Sequence, residues 1–484
     1  MFTDLDIQPV LLQAKKKNSA AIVSYSAILL QKQYVISTSH ILQELEIPAQ
    51  DIEVGKLVLC NENFSKKQHF NVVSNEFATI SADLFGLFKC KNIDNFFRND
   101  CKDCQVQAHS TNLKEYLSIF VIFSVGNARC SKKNLLMILY SWIEIISQDN
   151  IRKGEHILSI SSPFGTKIFF NTITEGIVSN AFENSSLFLS DCCSAPGSEG
   201  GAVFKRDSYD IPIGIIISPF NWWRKDWVGF TLVADIRPII LQILDVEKKD
   251  LLLSGIYRDV STPSYTIFEN CVSQICCGVS WGSCILLEQN KGIFLTNSHV
   301  VKPSFKITIF WKNRKMLATL IYRSVDNSPL DLAIVQISKN PHCSLSDMTA
   351  VTMTLNAINK GDPVYCVGFP LFSNSFKPRN PTITKGIIGA ISPYMLKTTC
   401  AVYPGFSGGG VFSPDGILLG IIVCNTRIPE DGMVYPRINM AVPISAVAEL
   451  LYEFLETGDV SKLTLLDSPS SEAYRSWMPL EAKL

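Results

Sequence analysis

"AVYPGFSGGGVF", residues 401–412, places three glycines behind Ser407, with Gly405 and a proline in front. Glycine is used where a backbone must take positive φ or approach another segment closely, so this density marks a tight turn built to present one hydroxyl. "SAPGSEGGAVF", residues 194–204, repeats the phrase with Glu199 where the serine stands. Two versions of one phrase in one chain imply an internal duplication, and the flanking sequence can be aligned outward from them.

"KQYVISTSHIL" (32–42) lines up with "KGIFLTNSHVV" (291–301), which sets His40 on His299. "RKGEHILSISSPFG" lines up with "NKGDPVYCVGFPLF", setting Lys153 on Lys360, and "NTITEGIVSNA" and "PIGIII" match "NPTITKGIIGAI" and "LLGIIV". The offset is nearly constant from the lysine onward but larger at the histidine. The first copy therefore carries extra chain between His40 and Lys153, and the cysteine-rich stretch around 60–110 is expected to be that insertion. Both copies consist of short runs rich in Val, Ile, Phe and Thr, separated by Gly, Pro, Asn and Ser, the pattern of strands. Helical periodicity is scarce, and "ISAVAELLYEFLE" (444–456) is its clearest case. The reading is all-β: a unit over 1–250, a second over 262–456, each closed by a C-terminal helix, and a polar tail over 457–484.

The 484 residues are 47% hydrophobic and 18% charged, enough for sizeable cores and against long disorder. Lys+Arg and Asp+Glu both number 44, so no net field draws the chain to nucleic acid, and the short run Lys15–Lys17 reads as a solvated face. The opening residues lack the order of a signal peptide, and no apolar run approaches the roughly 20 residues a membrane span needs, so the expectation is a chain made in the cytosol with no membrane span. The 15 cysteines are expected to be mostly free and buried. Cys101 and Cys104, with Cys90 and His109 nearby, have metal-like spacing, but the second CxxC of a zinc signature is missing; the reading is a thiol-bearing loop, with no metal and no cofactor.

In the second copy, "FLTNSHVV", "SPLDLAIVQI" and "GFSGGG" follow one another. A serine hydroxyl becomes a nucleophile when a histidine takes its proton, and the histidine needs a carboxylate to fix its tautomer and stabilise its cation. All three residue types are present, each bracketed by strand-like sequence. The turn at Gly405–Ser407 can point two amides at an oxygen that becomes negative.

"TNSHVV", "DLAIVQI", "GFPLF", "TITKGIIG", "GFSGGGVF" and "INMAVPIS" together resemble the chymotrypsin-fold serine proteases of the HtrA/Deg branch, over most of 262–455. The resemblance implies tandem double β-barrel domains, with His299 as general base, Asp331 as its orienter, Ser407 as nucleophile, and the amides of Gly405 and Ser407 as oxyanion hole. Asp326 is the rival carboxylate; Asp331 is preferred because the Asp-Leu-Ala phrase carries the match. By alignment the specificity pocket is built by Ala401, Val423, Cys424, Asn425 and Met440, with no acidic residue at its base to hold a cation. The first copy keeps His40 but sets Tyr116 at the aspartate's place and Glu199 at the serine's, so it is expected to be a degenerate domain for docking or regulation.

A degenerate copy before an intact one, no peptide-binding module after it, and the ending Ala482-Lys483-Leu484 resemble the peroxisomal Deg-type processing proteases. The resemblance implies a serine endopeptidase of the peroxisome matrix that removes N-terminal targeting presequences, commonly after cysteine. It also implies matrix precursor proteins as substrates, contact with the peroxisomal import receptor through the C-terminal tripeptide, a homodimer, and self-cleavage. A self-cleavage site is expected in an exposed segment, and Cys271, Cys276 and Cys277 near the start of the second copy or Cys192 and Cys193 in a loop of the first are the candidates. The alternatives are a non-catalytic peptide-binding scaffold and an HtrA-type quality-control protease outside peroxisomes.

Overall fold

The β-branched and aromatic runs become strands in the computed structural model, which describes residues 5–16, 19–47, 52–60, 69–74, 78–100, 116–126, 130–146, 151–182, 185–207, 210–223, 226–245, 265–326, 328–338, 345–354, 358–370, 380–427 and 434–477. The chain divides into two units, Met1–Thr262 and Pro263–Leu484.

In the first unit, β1 (Ile7–Lys15), β2 (Ile22–Leu30), β3 (Tyr34–Thr38), β4 (Leu57–Leu59), β5 (Phe70–Val73), β6 (Thr79–Lys89) and β7 (Ile119–Val125) form one antiparallel sheet. Its order is β4-β6-β5-β1-β2-β3-β7, and the pairing of β6 with β7 closes it into a barrel. A second closed barrel follows, β10-β13-β12-β11-β8-β9, from β8 (His156–Ser161), β9 (Thr172–Phe182), β10 (Leu187–Ser190), β11 (Ala202–Lys205), β12 (Gly214–Trp223) and β13 (Asp226–Asp235). Barrel closure pairs the edge strands that an open sheet would leave exposed. Alternate side chains fill the interior: Leu12, Ala27, Val35 and Phe123 belong to the first barrel's buried core.

The second unit repeats the plan. One barrel, β14-β15-β16-β19-β18-β17, is made by β14 (Val272–Cys277), β15 (Ser280–Glu288), β16 (Ile293–Thr296), β17 (Ile307–Trp311), β18 (Arg314–Arg323) and β19 (Ala333–Ile337). The other, β20-β21-β22-β25-β24-β23, is made by β20 (Pro363–Gly368), β21 (Thr382–Ser392), β22 (Met395–Thr398), β23 (Gly410–Phe412), β24 (Leu418–Arg427) and β25 (Val434–Pro443). The architecture is thus two tandem chymotrypsin-like double barrels.

Helices close both units. In the first, helix Ile236–Leu244 starts at Asp235, whose side chain accepts the amide of Arg237, and it buries Ile236, Ile239 and Ile240. In the second, helix Ala448–Thr457 buries Leu451 and Phe454 and ends at Gly458, where φ is 75°.

Three features differ from the sequence reading. The stretch 60–110 is not one insertion: β5 and β6 fall inside it and occupy the barrel places that β17 and β18 hold in the second unit. The extra chain lies on either side of them, as the edge strand β4 before β5 and the helix Lys91–Asn95 after β6. Helix Lys132–Ile145 was also not anticipated; Ser131 caps it and its Trp142 is fully buried, donating its indole N–H to the Pro212 carbonyl at 3.3 Å. Finally, the tail is a strap rather than loose polar chain. A 3₁₀ helix over Val460–Asp467 buries Leu463 and Leu466, and helix Ser471–Trp477 follows, with Trp477 donating to the Tyr394 carbonyl at 2.9 Å. Cys101, Cys104, His109 and the tripeptide Ala482–Leu484 lie outside the described residues. Among the described residues no helix is long and apolar enough to cross a membrane.

Candidate active site

Strand pairing explains why His299 and Asp331 meet. β16 and β19 are antiparallel neighbours with Thr296 opposite Ala333, so the residues just past the end of β16 face those just before β19. His299 Nδ1 lies 2.5 Å from Asp331 Oδ2, and the His299 amide donates to Oδ1 at 3.1 Å. Ser298 Oγ donates to the same Oδ1 at 2.5 Å, and Asn297 Nδ2 to the Asp331 carbonyl at 2.7 Å. Burial alone would push the Asp331 carboxyl up, but hydrogen bonds from His299 and Ser298 and the charge of His299 outweigh it and hold the carboxyl below its ordinary range. Asp331 thus stays ionised, while the imidazole is half-exposed. Asp326, the rival, is committed elsewhere: it pairs with Arg323 at 2.5 Å and is 79% exposed.

The glycine-rich turn has an alternating hydrogen-bond pattern. The amides of Phe406, Gly408 and Gly409 donate to Tyr403, Ile422 and Phe406 carbonyls at 2.9, 2.9 and 2.7 Å. The amides of Gly405 and Ser407 have no acceptor among the described residues. Gly405 makes the alternation possible: its φ is +100°, and a Cβ there would collide with the Phe369 carbonyl oxygen. Gly408, at φ +80°, packs so closely on Ser283 and Thr296 that a Cβ would overlap both, which seats the turn directly against the segment leading into His299. Ser407 Oγ itself donates to the Val423 carbonyl at 3.0 Å. The structure therefore joins His299 to Asp331 and holds Ser407 on the adjoining turn, its hydroxyl directed at β24.

The pocket positions lie on neighbouring segments. Ala401 and Val423 are buried and Met440 is half-buried. β24 pairs with β25 with Cys424 opposite Met440, and Asn439 Nδ2 ties the Cys400 carbonyl at 2.7 Å, which draws the chain before Ala401 onto β25. The side chains of Cys424 and Asn425 are outside the described residues.

The first unit keeps the scaffold and fills the site with itself. Gly197 has φ +94° and Gly200 φ +88°, matching Gly405 and Gly408. The amide of Gly197 donates to the Glu199 carboxylate at 2.6 Å, and that carboxylate also draws on its own backbone amide. Glu199 thus occupies the amide pair that stands free in the second unit. Burial pushes its carboxyl up to about 7, against the pull of those two amides. His40 is buried, which lowers its imidazole to about 4, and its Nδ1 lies 3.1 Å from Thr38 Oγ1 rather than on a carboxylate. Where Ser298 reaches Asp331, Ser39 reaches only the backbone carbonyl of Tyr116, at 2.7 Å. Tyr25, its ring centroid 5.9 Å from that of His40, completes the seal.

Sequence reasoning missed one structural serine in each unit. Ser283 Oγ donates to the Gly405 carbonyl at 2.7 Å and accepts from the Phe369 amide at 2.9 Å, so a residue of the first barrel fixes the turn of the second. Ser26 does the same in the first unit, donating to Gly197 and accepting from the Ser162 amide, both at 2.8 Å. Their equivalent positions in β2 and β15 were the only signal.

The sequence profile of the trypsin-like peptidase domain matches residues 282–421. The chain is 30% identical over 353 residues to the peroxisomal leader peptide-processing protease of Mus musculus, covering 67% of this chain and 60% of that protein. It is 29% identical over 352 residues to the Homo sapiens protein of the same name, with 68% and 60% covered. The periplasmic serine endoprotease DegP of Escherichia coli K12 is 28% identical over 194 residues, 37% of each chain. The chain thus spans about 60% of the length of the two peroxisomal relatives. Residues 282–421, carried on the second of two chymotrypsin-like units, are a trypsin-like peptidase domain.

Proposed function

We propose that the chain is a serine endopeptidase whose second unit performs the chemistry and whose first unit does not. One observation carries the reading: a histidine–aspartate pair stands beside a turn that leaves two amides free. In the reaction, Ser407 Oγ leaves the Val423 carbonyl and gives its proton to His299 Nε2 as it attacks the scissile carbonyl. Ionised Asp331 holds the imidazole by Nδ1 and stabilises the imidazolium. The carbonyl oxygen, now negative, takes the Gly405 and Ser407 amides. His299 then returns the proton to the leaving amine, and water resolves the acyl-enzyme by the same steps.

The substrates are the leader peptides of peroxisomal precursor proteins, by similarity to relatives named for that processing. The chain works in the peroxisome matrix, as a homodimer, and engages the import receptor through Ala482-Lys483-Leu484. Ala401, Val423 and Met440 are uncharged, which suits a small polarisable side chain such as cysteine before the cut and disfavours a cation. For self-processing, Cys193 is the favoured position because it is exposed, whereas Cys192, Cys271 and Cys277 are buried and Cys276 is half-buried.

Wild-type protein is expected to label with a fluorophosphonate and Ser407→Ala to remain unlabelled. Incubation with a presequence-bearing peroxisomal precursor, followed by sequencing of the new N-terminus, tests the substrate. An unlabelled wild type, or cleavage persisting in Ser407→Ala, refutes the reading.

A further inference from the structure

The His299 turn and the Asp331 loop are bound together by a residue that belongs to neither. Arg323 ends β18, and its Nε donates to the carbonyls of Ser298 at 3.0 Å and Val301 at 3.1 Å, one on each side of His299. Nη1 and Nη2 reach the Ser324 carbonyl at 3.4 Å and Asp326 at 2.5 Å. The side chain is only 19% exposed, so these bonds form largely out of water. Next to it, Ser324 brackets the carboxylate loop: its amide donates to the Leu332 carbonyl at 2.9 Å and its Oγ accepts the Leu332 amide at 3.2 Å.

The segment Tyr322–Val325, which carries Arg323 and Ser324, is held from outside by the C-terminal strap. Asp467 Oδ1 accepts Tyr322 Oη at 2.9 Å and the Val325 amide at 3.3 Å, gripping the segment on both sides of Arg323. Leu463 and Leu466, buried on the strap, fix where that carboxylate stands. We propose that Arg323 is a positioning residue for the His299–Asp331 pair, and that the strap Val460–Asp467 holds Arg323 in place through Asp467. A guanidinium is a rigid plane of donors: Nη1 and Nη2 anchor it to Ser324 and Asp326, and its single Nε–H, shared between the Ser298 and Val301 carbonyls, draws those two together, which a lysine's lone ammonium cannot do. Burial, the hydrogen bond to Asp467 and its negative charge all raise the Tyr322 phenol, so it remains a donor at any working pH.

The inference rests on the proteolytic reading above, and its test separates the two. Full-length wild type, Arg323→Met, Arg323→Lys, Asp467→Ala and Asp467→Asn are compared on a quenched peptide that wild type cleaves, together with the low-field proton resonance of His299 Nδ1–H. Misplacing a catalytic group by about 1 Å costs on the order of a hundredfold, so Arg323→Met and Asp467→Ala should lose about ten- to a hundredfold in kcat at unchanged KM, with the resonance shifted or broadened. Arg323→Lys should not recover the loss. Asp467→Asn should, because its amide oxygen accepts the same two bonds. Wild-type kcat and an unmoved resonance in folded Asp467→Ala overturn the proposal; if Arg323→Met does not fold, Asp467→Ala decides alone. A wild type that neither cleaves nor labels refutes the proteolytic reading instead, and the resonance still reports on the positioning.

Discussion

Glu199 and His40 bear opposite electrostatic loads in the first unit, and their pH dependences can be worked out separately. Glu199 titrates at about 7 when folded, above its ordinary 4.5, so the stability it permits is complete below pH 4.5 and is lost as pH rises to 7. His40 is lowered from 6.5 to about 4, so its contribution is complete above pH 6.5 and is lost as pH falls to 4. Each full effect is about 3 kcal/mol, and because the slopes oppose, together they nearly cancel. Thermal melts from pH 4 to 8 should expose them singly: Glu199→Gln loses stability toward acid, and His40→Leu loses it toward alkali. Parallel curves for these variants and wild type would refute the assignment. In the second unit the depressed carboxyl of Asp331 contributes stability above the ordinary aspartate range, lost as pH falls through its folded value. Asp331→Asn is expected to lower kcat by about 10⁴ by leaving the imidazole in the wrong tautomer, which stopped-flow or long-time assays of purified variant can measure. The residue types at 299, 331 and 407 could be read from motifs. That Glu199 would bond to its own turn could not, since the letter E states a charge and not where it points.

Each unit's turn is fixed by a strand of the other barrel. Ser283→Ala removes the donor to Gly405 and the acceptor for Phe369, leaving a buried carbonyl and a buried amide unpaired, each worth about 1–3 kcal/mol. It should lower the melting temperature and slow fluorophosphonate labelling of Ser407, whereas Ser26→Ala should lower the melting temperature and leave labelling unchanged. Equal labelling rates in Ser283→Ala and wild type would remove Ser283 from the site's support. Strand existence was legible from composition, because alternating β-branched residues have few other ways to be buried. The strap was not. "DVSKLTLLD" (459–467) is polar at most positions and too short for a periodic signal, and it is ordered by burying Leu463 and Leu466 against a surface that sequence does not display.

Over the whole chain, duplication gave the architecture, since two aligned copies must share a topology, and the same alignment misplaced the extra residues. Aligning motifs fixes only the ends of a gap; it was strand pairing that assigned β5 and β6 to the barrel. The division of labour between units is also testable across the chain. In a Ser407→Ala background, Glu199→Ser is expected to restore no fluorophosphonate labelling, because His40 sits on Thr38 and among the described residues no carboxylate reaches it. Detectable labelling at position 199 would mean that the first unit retains a usable base.

An acyl-transfer scaffold that loses its nucleophile still has two dipoles aimed at a missing oxygen, and Glu199 supplies one permanently. A boronate or phosphonate shaped like a tetrahedral adduct therefore competes with a tethered carboxyl group in one half and with solvent in the other. Titration should end at a single equivalent, and drug-like anions will be blind to the half of the molecule that most resembles their target.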